Sequence, residues 1–207
     1  MNAVSFPRIR LPRWGFAAVA AAVLLTGCRS PEPTFLTLDA MPPTSAPPEA
    51  IATAIAVGEV TLPPEVDRRS VVIRRGSSGV EVDPTLRWAA PLDELVRTTL
   101  RDNLTDRLPA DSVLGPSQPL DATGGKVLTV VFETFSVDAE GGAELVATWR
   151  LLNRAGESLM TRKEQFKIRS KNQTPQDMAS AVSQALGMLA DRIAQELAEP
   201  ASSTPAE

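Results

Sequence analysis

The sequence has no histidine and a single cysteine, Cys28, among its 207 residues. The missing histidine excludes Ser-His-Asp and Cys-His catalysis as well as histidine-based zinc sites. One cysteine cannot form an intramolecular disulfide, and no Ser-x-x-Lys motif is present. We therefore predict that the protein is not an enzyme and binds no metal.

Two short stretches that resemble functional motifs have simpler structural explanations. The sequence GGKV at 124–127 lacks the upstream glycine and the following Ser or Thr of a phosphate-binding loop, so we interpret it as a turn before a strand. The acidic pair Asp93 and Glu94 lies in the first turn of a predicted helix, where carboxylates interact favourably with the helix dipole. Neither stretch predicts a catalytic site.

The N-terminus has the pattern of an export signal. Residues 1–13 carry three arginines and no acid, and residues 14–25 carry no charge at all. This apolar run is too short to span a hydrocarbon core, which takes roughly 20 residues. A basic start, a short apolar run and small residues after it indicate a signal peptide at 1–27.

This segment ends in Leu25, Thr26, Gly27 and Cys28, which resemble a bacterial lipobox. The resemblance implies that Cys28 receives a diacylglycerol thioether, that cleavage occurs before it, and that its new amine is acylated, as with palmitate. The alternative is an ordinary signal peptide with an incidental cysteine nearby. Two or more acyl chains hold a protein stably at a membrane. Because no aspartate follows Cys28, the pattern favours the outer membrane of a Gram-negative cell, with the domain facing the periplasm.

The chain from Cys28 onward would keep 18 basic and 25 acidic side chains, with no basic block, so no nucleic-acid partner is predicted. Residues 28–50 are rich in proline and are predicted to be a lipidated tether with a short first strand at 35–38. Residues 51–199 are expected to form one domain, and residues 200–207 a disordered tail.

Hydrophobic periodicity predicts strands, a helix, three strands and a final helix. The first strands lie at 55–62, where Gly58 marks a bulge or a close backbone approach, and in a hairpin at 71–82. A helix starts at Pro91, an antiparallel meander covers 126–171, and a second helix is capped by Thr174. The strand from Lys126 is apolar on both faces, which predicts layers on both sides of the sheet.

Four ordered stretches resemble the family of ABC-type transport auxiliary lipoproteins, which includes the paraquat-inducible outer-membrane lipoprotein. They are FLTLDA, IAVGEVTLPPEVDRRSVVIRRG, VDPTLRWAAPLDELVRTTLRDNL and ATWRLLNRAGESL. The resemblance runs from Cys28 to about Ala198. Ala90 departs from it, because family members commonly have an acidic residue there, so no role of that carboxylate is transferred.

The resemblance implies an α/β fold: a three-layer sandwich like the N-terminal domain of TolB, with a mixed, largely antiparallel sheet and helices packed on it. It also implies a non-catalytic outer-membrane subunit of an intermembrane phospholipid transport system. The implied partners are an MCE-domain protein that spans the periplasm and its ABC permease and ATPase. No cofactor is expected apart from the covalent lipid on Cys28, and a bound phospholipid and a homo-oligomer are left open.

A rigid loop at 62–69, LPPEVDRR, is the stronger candidate for partner contact, since two prolines lower the entropy cost of presenting it. The alternative is a plain surface connection. Exposed Trp and Arg side chains are frequent interface anchors, although the tryptophan could instead pack before the helix. The candidate contact residues are Leu62, Pro63, Pro64, Asp67, Arg68, Arg87 and Trp88.

Two rival functions remain at this stage. An envelope enzyme is disfavoured by the missing nucleophile–base sets. A lipid-binding or other envelope-assembly accessory lipoprotein is the alternative, and a lipid carrier would need a large apolar cavity.

Overall fold

Seven strands and two helices follow one another in the computed structural model, which describes residues 31–51, 53–118, 125–170 and 172–198. The predicted signal peptide, the lipobox with Cys28 and the C-terminal tail lie outside the described residues. The elements are β1 (Thr34–Leu36), β2 (Ile55–Thr61), β3 (Ser70–Arg75), β4 (Gly79–Trp88), α1 (Leu92–Thr105), β5 (Lys126–Asp138), β6 (Ala143–Leu152), β7 (Ser158–Ile168) and α2 (Pro175–Ala198).

All seven strands join one sheet in the order β1-β4-β3-β5-β6-β7, and β2 pairs with β5 off this path. The long strand β5 pairs with two strands on the same side. Its first half pairs in parallel with β2, and its last two residues pair in parallel with β3. The predicted hairpin β3–β4 and the meander β5–β6–β7 are antiparallel. The predicted mixed α/β fold class is therefore confirmed.

Period-2 alternation along the strands separates a covered face from an open one. In β6, residues Ala143, Leu145, Ala147, Trp149 and Leu151 are buried, while the side chains between them are partly or fully exposed. Successive side chains of a strand point to opposite faces. One face of this strand therefore belongs to the core, and the other meets solvent.

The two helices pack against each other and supply the covering layer. Helix α1 contributes an apolar stripe, whose residues Leu92, Val96, Leu100 and Leu104 are buried. Helix α2 lies over β6 and β7, where Arg162 of β7 forms an ion pair with Glu196 of the helix at 2.8 Å. As predicted, Thr174 caps α2, because its Oγ1 accepts a hydrogen bond from the amide of Asp177 at 3.2 Å.

Strand β5 corrects the expectation of layers on both sides of the sheet. The pairing with β6 shifts register between Phe132 and Thr134, so Phe135 and Val137 fall on the same buried face as Leu128, Val130 and Phe132. A bulge of this kind inserts one residue and reverses the alternation. Val131 on the other face is 42% exposed. The described sheet and helix pair thus make two layers. The apolar residues that the sequence placed on both faces of β5 lie on one face because of the bulge.

Several boundaries differ from the sequence prediction. Strand β4 continues to Trp88, six residues beyond the predicted end of the hairpin at 82. Pro91 is the N-cap of α1 rather than its first residue. Between α1 and β5, Val113 forms only an isolated bridge with Ile55.

Gly58 was predicted to mark a bulge or a close approach, and the structure shows both features beside it. The pairing of β2 with β5 shifts register between Val57 and Val60. A Cβ atom at Gly58 would lie 2.6 Å from Cγ1 of Val127, so any larger residue would collide with the neighbouring strand.

No helix in the described part of the chain is long and apolar enough to cross a membrane.

Candidate docking surface

The loop that joins β2 to β3 is held in a turn by its own backbone. The amides of Val66 and Asp67 donate to the carbonyl of Pro63 at 3.0 and 3.2 Å, and the amide of Arg68 donates to the carbonyl of Val66 at 2.7 Å. The Val66 side chain is only 8% exposed and fixes the loop to the core. The loop is therefore held by its own hydrogen bonds and by one buried side chain, and the rigidity that its two prolines predict stays a prediction.

The structure divides the predicted contact residues into two groups. Leu62, Pro63 and Trp88 are buried and serve the core. The tryptophan faces inward because it ends β4 on the side opposite its exposed neighbour Arg87. It thus takes the packing role that was the alternative. The residues available to a partner are Pro64, Asp67, Arg68 and Arg87.

Strand pairing brings the loop and Arg87 together. Arg87 lies opposite Ser70 in the β3–β4 ladder, and the amide of Trp88 donates to the carbonyl of Arg69 at 2.7 Å. Arg68 and Arg69 end the loop just before Ser70, so the three arginines lie near the same end of the β3–β4 pair. No ion pair links any of these three to a described acidic residue.

The β3–β4 hairpin adds exposed apolar surface beside this loop. Val72 and Arg74 lie opposite Val82 and Val80 respectively, so these four side chains share one face. Val80 is 66% exposed and Val82 is 43% exposed. A shallow depression of about 100 Å³ lies between hairpin, loop and β5. The sequence predicts a hairpin at these valines but does not indicate that they are exposed.

A bulge in β4 separates the hairpin tip from Arg87. Oδ1 of Asp83 accepts hydrogen bonds from the amide and the hydroxyl of Thr85, both at 2.7 Å, and from the amide of Leu86 at 3.2 Å. The hydroxyl bond from Thr85, followed by its amide bond, lowers the pKa of Asp83 below its ordinary value of 3.8. The ionised carboxylate therefore maintains the bulge at neutral pH.

The open sheet face beyond the hairpin is polar. Glu133 of β5 accepts hydrogen bonds from Lys163 of β7 at 2.5 Å and from Thr148 of β6 at 3.0 Å. The bond from Lys163 is the main cause that lowers the pKa of Glu133. This cross-strand ladder on exposed side chains is typical of a solvated surface.

A second group of interacting polar residues lies on the helix side of the sheet, and the sequence did not predict it. Residues 37–48, here called the N-terminal strap, run across both helices after β1. Arg107, whose side chain is 3% exposed, forms an ion pair with Asp191 of α2 at 2.6 Å. It also donates to the strap carbonyls of Met41 and Pro42 at 2.9 and 3.1 Å. The proline-rich segment predicted as a tether is thus packed on the domain over much of its length.

Two further hydrogen bonds fix the strap to the helices. The Met41 amide donates to Oδ1 of Asn103 on α1 at 2.9 Å, and the Asp39 amide donates to Oγ of Ser183 on α2 at 3.1 Å. Asn103 and Ser183 are buried polar residues. The buried polar groups of the helices and the strap thus form hydrogen bonds with one another, which indicates a structural role.

Among the described residues, no group of three or more acidic or sulfur- or imidazole-bearing side chains could hold a metal ion.

Comparison with known proteins identifies the family. Residues 36–194 match the model of the ABC-type transport auxiliary lipoprotein component. A crystal structure of an uncharacterised protein superposes with a TM-score of 0.66 at 22% identity, covering 80% of this chain and 99% of the other. A DUF330 protein from Xanthomonas campestris gives a TM-score of 0.60 at 16% identity, covering 79% and 93%.

At these identities the solved structures establish a shared fold only. A search of curated proteins gave no match. The family model, in contrast, spans all elements from the end of β1 to most of α2. The chain belongs to the family of ABC-type transport auxiliary lipoproteins.

Proposed function

We propose that the protein is a lipid-anchored outer-membrane subunit of an MCE/ABC-type phospholipid transport system. In this role it docks the periplasm-spanning MCE-domain protein and has no catalytic chemistry of its own. The observation that carries the proposal is the family match over residues 36–194, preceded by a lipobox that ends at Cys28.

The anchor is tested separately from the docking. Cys28→Ala removes the thiol that would carry the lipid, so we expect the variant to leave the membrane fraction and appear in the soluble periplasmic extract. Metabolic labelling with a radioactive fatty acid should mark the wild type and not the variant. A Cys28→Ala protein that still sediments with the outer membrane would refute the lipobox interpretation.

The docking surface that best supports the proposal combines the loop at 62–69 with Arg87. It offers exposed arginines with no acidic partner among the described residues, on a backbone held in a turn by its own hydrogen bonds. Such a surface loses little conformational entropy on binding. Arginine is also over-represented at interface hot spots.

Affinity capture with the lipidated wild type should recover an MCE-domain protein together with its permease. Arg68→Glu and Arg87→Glu should each reduce the recovery several-fold, because each reverses a charge inside the proposed surface. Arg150→Glu is the matched control: this arginine is also exposed but lies on β6, away from the loop. Capture of peptidoglycan-associated or assembly-machinery proteins alone, or equal losses in all three variants, would refute the proposal.

A further inference from the structure

Few residues separate the proposed lipid anchor from the first strand. Thr34, the first residue of β1, is six residues after Cys28. A fully extended chain spans at most about 3.6 Å per residue, so this connection reaches about 20 Å. A lipidated Cys28, as proposed above, would therefore hold the start of β1 close to the bilayer surface.

The direction of β1 decides which end of the sheet is close. Strand β1 runs parallel to β4, with Thr34 opposite Leu86. The chain before Thr34 thus approaches from the end of β4 that leads back to Gly79. Strand β3 is antiparallel to β4, and Arg75 lies opposite Gly79. The tip of the β3–β4 hairpin, residues 76–78, is therefore at the end of the sheet from which the anchored chain arrives.

The hairpin tip carries the side chains that suit a phospholipid surface. Arg74 and Arg75 end β3 beside the tip, whereas Arg68 and Arg69 belong to the loop at the other end of that strand. Val80 and Val82 project from the tip region with 66% and 43% of their surface exposed, and exposed Arg74 lies directly opposite Val80. Apolar side chains flanked by arginines enter the interface of anionic bilayers, where the arginines meet the phosphates.

Neighbouring charges limit the contact to one face. Arg75 is paired with Glu81 at 2.8 Å, and the turn between β5 and β6 at the same end carries Asp138 and Glu140. These carboxylates disfavour an approach by the whole end of the sheet. Glu65 and Glu133 also line the depression beside Arg74 and Val80, so the contact is limited to the side chains of Arg74, Val80 and Val82.

We propose that this hairpin face is a second membrane contact, which lies against the anionic phospholipid surface of the bilayer that holds Cys28. The inference depends on the lipid anchor of the proposed function. A lipid chain combined with a basic apolar patch binds a membrane more stably than either alone. The two contacts together would fix the orientation of the domain, with the loop at 62–69 facing away from the hairpin tip along the sheet.

Single-cysteine labelling can test this contact, because Cys28 is the only native cysteine and its thiol would be blocked by lipid. Val80→Cys and the control Leu159→Cys are labelled with an NBD fluorophore in the lipidated full chain. Leu159 is also an exposed apolar residue, at 51%. It lies at the start of β7, five strand positions from β1 and about 24 Å away across the sheet.

The proteins are reconstituted into vesicles of phosphatidylethanolamine and phosphatidylglycerol that contain doxyl-labelled lipid. We expect the label at position 80 to be quenched several-fold more strongly than the label at position 159. Arg74→Glu should reduce the quenching at position 80, whereas Arg150→Glu should leave it unchanged. Vesicles of phosphatidylcholine alone should quench more weakly, because they lack the anionic headgroup.

Flotation of the vesicles separates the two possible failures. Protein that does not float with the vesicles would refute the lipid anchor itself. Protein that floats but shows equal quenching at both positions would refute the hairpin contact alone. Protection of position 80 only at high protein density, or only after an MCE-domain protein is added, would assign the face to a protein partner and also overturn the inference.

Discussion

The ion pair between Arg107 and Asp191 should hold the N-terminal strap, and with it both helices, in place. Asp191→Ala would leave the Arg107 guanidinium, 3% exposed, without its counter-charge, since the remaining acceptors are the neutral oxygens of Asn103, Met41 and Pro42. Removing one partner of a buried ion pair costs about 3–5 kcal/mol. Because Asp191 is itself 14% exposed, we expect the lower end, about 3 kcal/mol of unfolding free energy.

Urea denaturation of the domain from residue 29 onward measures this loss, and Glu94→Ala provides the matched control. The pair of Glu94 with Arg97 is about half exposed at 45% and 49%, and such pairs contribute less than about 1 kcal/mol. The double variant Arg107→Met with Asp191→Leu should recover much of the stability, because an apolar pair leaves no buried charge. A loss below about 1 kcal/mol for Asp191→Ala would refute the argument for a buried, strap-holding pair.

Two further substitutions test the sheet. Gly58→Ala should reduce the unfolding free energy by about 1–3 kcal/mol, since its Cβ would collide with Val127; unchanged urea midpoints would contradict this close approach. Thr85→Val should raise the pKa of Asp83, whose folded value is depressed mainly by the Thr85 hydroxyl. Because the pKa of Asp83 is lower in the folded state, its ionised carboxylate stabilises the fold at pH values above the unfolded pKa of 3.8. This stabilisation is lost as the pH falls through the folded-state pKa. The variant should therefore be less stable than wild type at neutral pH, and the difference should shrink in urea titrations below pH 4; a difference independent of pH would exclude the Asp83 carboxylate as the cause.

Local patterns predicted most of the secondary structure. The stripe of α1, the capping pair at Thr174 and Asp177 and the glycine-containing turns between β5, β6 and β7 depend on neighbours within a few residues. The same local logic failed at β5, where a bulge near Glu133 reversed the alternation and imitated a strand buried on both faces. A period-2 pattern assigns residues to faces correctly only in a regular pleat. A single inserted residue moves all later side chains to the opposite face.

The candidate surface was predicted only in part. Two prolines and an arginine pair pointed to the loop at 62–69, whose backbone forms a hydrogen-bonded turn. The sequence could not tell that Trp88 points into the core while Arg87 points out, because that depends on the register of β4 against β3. Nor could it identify Val80 and Val82 as exposed, since valines in a strand are usually taken to face the core.

The sequence by itself determined the order of the elements, the absence of histidine and the resemblance of residues 25–28 to a lipobox, because each depends on residue identity or on short spacings. Tertiary structure decided where the proline-rich segment goes. Arg107 meets Asp191 across 84 residues, and the Asp39 amide meets Ser183 across 144. Pairings over such separations arise only when the two helices pack, so the same prolines that suggest a free tether instead form a strap fixed to the domain.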